Sequence, residues 1–147
     1  MTEAGIDLYK GLTTPPVFWP FILALRSLVH ALAGKPVQAL ELIEEAIDLA
    51  ESPINAPPDL WEFRADFLTM LPEPDVGAAE DSYLTAVRKS AELKLHLVEL
   101  RALTKLVMLR RQLGRSPDGS DELASVYSTF TEGFEEHDLV VARELLA

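Results

Sequence analysis

The pattern that most restricts this chain is a spacing that occurs twice. Ala39-x3-Ile43-x2-Ala46 is followed, forty residues later at every position, by Ala79-x3-Tyr83-x2-Ala86. Steps of four and three return to one side of an α-helix, so each set presents small, bulky and small side chains on a single face. Small residues there let two helix backbones approach closely, while the bulky one fills the space left beside them. The preceding segments match as well: Leu23-x2-Arg26-Ser27 against Trp61-x2-Arg64-Ala65, at an offset of 38. The two-residue difference falls at Pro72-Glu73-Pro74-Asp75, a lengthened turn. A chain written this way repeats pairs of helices, each pair needing its neighbours to bury its apolar face.

The rest of the sequence agrees. Val37, Leu40, Ile43, Ile47 and Ala50 recur at helical spacing, with Glu41, Glu44, Glu45 and Asp48 on the other side. Strict two-residue alternation, the mark of a strand, is missing. The spacing predicts helices near 18–33, 36–51, 58–71, 76–93, 96–113, 119–132 and 138–147, with a short helical lead-in around 2–10. Gly34 and Gly114 stand where a helix stop wants a left-handed residue, and Pro36 suits the first turn of the next helix. The expected fold is all-α, a tetratricopeptide-like helical-hairpin solenoid in a single domain over 1–147. Its hairpins lie near 18–51, 58–93 and 96–132, followed by a capping helix at 138–147. The third pair carries Val107 where Ser27 and Ala65 stood, which predicts looser or differently angled packing. Lys94 replaces the glycine expected between the fourth and fifth helices, so that turn is expected to differ in shape.

Composition narrows the possible partners. With 13 Lys+Arg against 24 Asp+Glu the net charge is −11, and such a surface repels phosphate backbones and anionic lipid headgroups. The expectation is a protein partner, without nucleic acid or membrane. Pro20, Arg26 and His30 interrupt the most apolar run, residues 17–33, so no membrane span is expected. The absence of Cys removes disulfides, thiolate metal sites and cysteine nucleophiles, and a cytoplasmic location is the expectation.

A resemblance can be placed on particular residues: Glu99-Leu100-Arg101-Ala102, the Arg111-Gln112-Leu113-Gly114-Arg115 turn, Leu123-Ala124-Ser125-Val126-Tyr127, Phe130-Thr131-Glu132-Gly133-Phe134 and Asp138-Leu139. Over roughly residues 17–147 the chain resembles the C-terminal tetratricopeptide region of large bacterial signalling ATPases. In those proteins a cyclase domain or a LuxR-type regulator is joined to an ATPase domain and then to such repeats. The resemblance implies a regulatory, protein-binding segment of a longer protein, with the cyclase or ATPase chemistry elsewhere in the parent. Neither a Gly-rich phosphate loop, a G-x-S-x-G elbow nor an H-E-x-x-H pair occurs. No catalytic residue, cofactor or metal is assigned to this segment.

Residues 127–139, YSTFTEGFEEHDL, invite a chemical reading through Glu135, Glu136, His137 and Asp138. The structural reading is a joint: Gly133 stops the sixth helix, Phe134 folds back on Phe130, and Asp138 caps the last helix. His30 reads as a packed imidazole, and His96 as a helix start.

The candidate partner groove follows from transferring the phase of one pair to the next. Asp59, Glu62 and Asp66 then face outward from the second pair, and Arg101, Thr104, Met108 and Arg111 from the third. An acidic strip would lie beside a basic one; the bland alternative is an ordinary solvated helix face. Phe18, Trp19 and Phe21 form an aromatic group that is either core or a bare face, and the second case predicts a homodimer. A spacer holding other domains apart, or a small-ligand sensor, are the other functions weighed.

Overall fold

The computed structural model describes residues 18–50 and 56–147. The lead-in expected at 2–10 lies outside them. Among the described residues the secondary structure is helical, without strands: α1 (Trp19–Leu32), α2 (Pro36–Leu49), α3 (Pro58–Met70), α4 (Val76–Glu92), α5 (His96–Gln112), α6 (Ser120–Tyr127) and α7 (His137–Leu146). None of these helices is long and apolar enough to cross a membrane.

Proline and glycine set the ends. Pro20, Pro36 and Pro58 occupy the first turns of α1, α2 and α3, where the missing N–H costs no helical hydrogen bond. After α1, Gly34 N–H donates to the Ala31 carbonyl at 3.0 Å and Lys35 N–H to His30 at 2.9 Å, with Gly34 at φ +73°. This paired stop satisfies carbonyls that the helix itself leaves open. Gly114 repeats it after α5, and so does Lys94 after α4: Lys94 N–H reaches Ala91 at 3.1 Å and Leu95 N–H reaches Ser90 at 2.8 Å. The different turn expected at Lys94 is therefore not formed. Its backbone takes φ +57° despite the Cβ, because the two closing bonds require it.

The chain divides into two compact units, one ending at Asp75 and the other Val76–Ala147. The boundary falls in the Pro72-Glu73-Pro74-Asp75 turn. Leu71, sterically excluded from the helical region by Pro72, takes φ −59°, ψ 151° and ends α3. The helices expected to pair as the 58–93 hairpin thus belong to different units.

In the first unit α2 packs against α1 on one side and α3 on the other. Leu23, Ala39, Ile43, Ala46, Ile47, Leu60 and Phe67 form its core, flanked by Trp19, Leu28 and Trp61. Each Leu or Ile so buried contributes about 1.5–3 kcal/mol before entropy is counted. Arg64 Nε donates to Glu44 Oε1 at 3.2 Å, tying α3 to α2. In the second unit α5 is central and contacts α4, α6 and α7. Both copies of the small–bulky–small set, Ala39/Ile43/Ala46 and Ala79/Tyr83/Ala86, are buried, as are Ser27, Ala65 and Val107.

The end of the chain departs from expectation. α6 stops at Tyr127 rather than near 132. Past Tyr127 the backbone tightens to bonds three residues back, Thr129 N–H donating to Val126 and Phe130 N–H to Tyr127 at 3.1 Å each, and the Ser128 and Thr129 hydroxyls donate to the Ser125 and Val126 carbonyls at 2.6 and 2.7 Å. Phe134 consequently meets Tyr127, ring centres 6.0 Å apart, instead of Phe130. Asp138 is not the cap: Glu136 holds that position, and Asp138 lies in the first turn of α7.

Candidate functional site

The acidic residues sit on α3 in the first unit and the basic ones on α5 in the second. Two of the seven do not face outward. Glu62 is 1% exposed, and Thr104 is 4% exposed. On α3 the buried positions 58, 60, 62, 65, 67 and 68 take up most of the helix circumference, and Ala24, which matches Glu62 on α1 at the offset of 38, is buried as well. On α5, packing on three sides leaves no open face at Thr104, whose hydroxyl is satisfied by the Leu100 carbonyl at 2.7 Å.

The two arginines are engaged within their own unit. Arg101 Nη1 lies 3.7 Å from Asp138 Oδ2, and Arg111 Nη1 donates to the Leu145 carbonyl at 2.8 Å. Early residues of α5 thus hold the start of α7, and late residues of α5 hold its end, so α7 is fastened along α5 by charge as well as by buried Leu139 and Ala142. Arg111 Nε also donates to Asp118 Oδ2 at 2.7 Å. That bond, with the Ser120 hydroxyl and amide, holds the Asp118 carboxyl well below the usual carboxylate range. Glu80 of α4 receives Arg110 Nε at 2.7 Å and also pairs with Arg115 just after α5. Asp59 and Asp66 are half-buried, while Met108 is exposed.

Among the described residues no three His, Asp or Glu side chains are grouped so as to hold a metal ion. His96 begins α5 with Nδ1 3.7 Å from Glu99 Oε2, His137 begins α7, and His30 is half-buried on α1.

The first unit contains a cavity of about 630 Å³. Phe21, Ala24, Leu25 and Leu28 of α1 form one wall. Leu49 and Ala50 at the end of α2 and Leu60 and Phe63 of α3 also line it, and Asp59 is the one ionisable side chain among the described lining residues. The aromatic group divides here: Trp19 packs on the core, while Phe18 and Phe21 are 57% and 63% exposed. Of the residues expected in a groove, Asp59 alone belongs to this cavity. The available signal was that α1 is apolar nearly all round. Pro20, Ile22, Leu23, Ala24, Ser27 and Ala31 make up its buried side, which leaves Phe21, Leu25, Val29 and Leu32 as a second apolar stripe.

Comparisons of the chain with protein-family models, curated proteins and solved structures return no match.

Proposed function

We propose that this chain is a non-catalytic protein-interaction module built from tetratricopeptide-like helix pairs, about three hairpins and a capping helix, and that it serves a larger bacterial signalling protein of the cyclase–ATPase or regulator–ATPase kind in the cytoplasm. The observation that carries this reading is the recurrence of one packing device. Ala39/Ile43/Ala46 and Ala79/Tyr83/Ala86 are equivalent in sequence and equally buried, as repeats stacked through close helix contacts require. The resemblance along residues 99–139 supplies the signalling context. Polar groups on α4 and α5 are spent on intra-unit ties, the Glu80–Arg110 pair among them, which suits a scaffold that presents surfaces.

The test is capture with the purified 147-residue chain as bait, followed by replacement of this segment in its parent with a rigid linker of equal length. A stoichiometric complex together with loss of regulation on replacement supports a binding module. Regulation retained with the linker would make the segment a spacer. Self-association is the second reading, favoured by the exposure of Phe18 and Phe21; sedimentation equilibrium measures it directly.

A further inference from the structure

Resting on the reading of a protein-binding module, we infer that the cavity of the first unit is the partner site and that it seats a basic amphipathic segment. Bulky apolar side chains would enter between α1 and α3, with a lysine or arginine beside them meeting Asp59. Size comes first: about 630 Å³ lies within the range of built binding sites, and apart from Asp59 the described lining residues have apolar side chains. Reach comes second. Phe21 and Leu25 line the cavity and also belong to the exposed stripe Phe18, Phe21, Leu25, Val29, Leu32, so cavity and stripe are continuous. Steps of three and four along α1, a helix of 14 residues or about 21 Å, match the i, i+4, i+7 anchors of an amphipathic helix laid along it.

Charge selects the partner. Asp59 marks the cavity with a carboxylate, and Pro57 and Pro58 remove two of the N–H donors that the start of α3 could otherwise offer an anion. Residues 18–75 carry ten Asp+Glu against three Lys+Arg, a net −7, so a basic segment is drawn to this unit at long range. A second copy of the chain would bring its own −11 to the same surface and be repelled.

Two fluorescein-labelled 14-residue helical peptides test this, with leucine at the same four positions, the remaining charged positions being lysine in one and glutamate in the other. Fluorescence anisotropy should show the basic peptide binding at least ten-fold more tightly than the acidic one. Phe21→Gln should weaken the basic peptide about ten-fold, and Asp59→Asn should narrow the difference between the peptides. Val37→Gln, on an exposed position of α2 outside the cavity, should leave affinity unchanged. Far-UV circular dichroism and unfolding midpoints of the variants check that each is folded. Equal binding by Phe21→Gln and Val37→Gln would reduce the effect to general electrostatics and overturn the assignment. So would failure of the basic peptide to bind, or self-association that Phe21→Gln abolishes. If the bait captures a partner and Phe21→Gln leaves that capture intact, the cavity assignment falls while the module reading stands; if no partner is captured and a linker substitutes fully, the module reading itself falls.

Discussion

At the scale of single residues, backbone conformation and local charge matter most. Lys94 holds φ +57° at an exposed turn whose counterparts after α1 and α5 are glycine. Lys94→Gly should therefore stabilise the second unit by about 1 kcal/mol, since the left-handed region costs a side-chain residue about 1–2 kcal/mol and glycine returns part of that as unfolded-state entropy; urea unfolding measures it. Asp118 gives a pH dependence with a definite sign. Its carboxyl is held low in the folded chain, first by Arg111, so the stabilisation it provides is present above its ordinary value of about 4 and is lost as pH falls through the depressed folded value. Asp118→Asn should lower the urea midpoint at pH 7, and the gap from wild type should close as the pH is taken below 3. The two small–bulky–small sets were legible in sequence because burial follows helical spacing directly. Glu62 was not, because a carboxylate reads as exposed even at a position that matches buried Ala24, and Thr104 was not, because its burial depends on the three helices packed around α5, which one helix's periodicity does not record.

At the scale of elements, the starts of α1, α2 and α3 were legible from proline and the stops of α1 and α5 from glycine, because each acts through its own φ preference. The end of α6 was hidden because its backbone tightens to bonds three residues back at Thr129 and Phe130, which no residue there announces, while Gly133 further on looked like the stop. The cavity was hidden for a related reason, since an apolar helix face reads the same whether it meets a neighbour or lines a space. α7 illustrates how an end element is secured. Arg101 and Arg111 hold its two ends, and each is partly exposed, so each pair contributes no more than about 1 kcal/mol. Replacing both with Ala should raise hydrogen exchange at amides 139–146 while leaving α4 protected, a pattern that mass spectrometry resolves by peptide.

For the molecule as a whole, the two units rest on the same device. α2 buries Ala39, Ile43 and Ala46 in one, and α4 buries Ala79, Tyr83 and Ala86 in the other. That shared construction underlies the proposal of a repeat-built binding module. It is tested most directly by denaturant unfolding of Ala46→Leu and Ala86→Leu beside Glu45→Leu and Arg88→Leu, the latter two on exposed neighbouring positions. Overpacking a close contact costs about 1–3 kcal/mol, and surface changes stay within about 0.5 kcal/mol. The repeat predicts comparable large losses at 46 and 86 with little change at 45 and 88. If either alanine accepted leucine as readily as its exposed neighbour does, the matching spacings would not be a common packing unit.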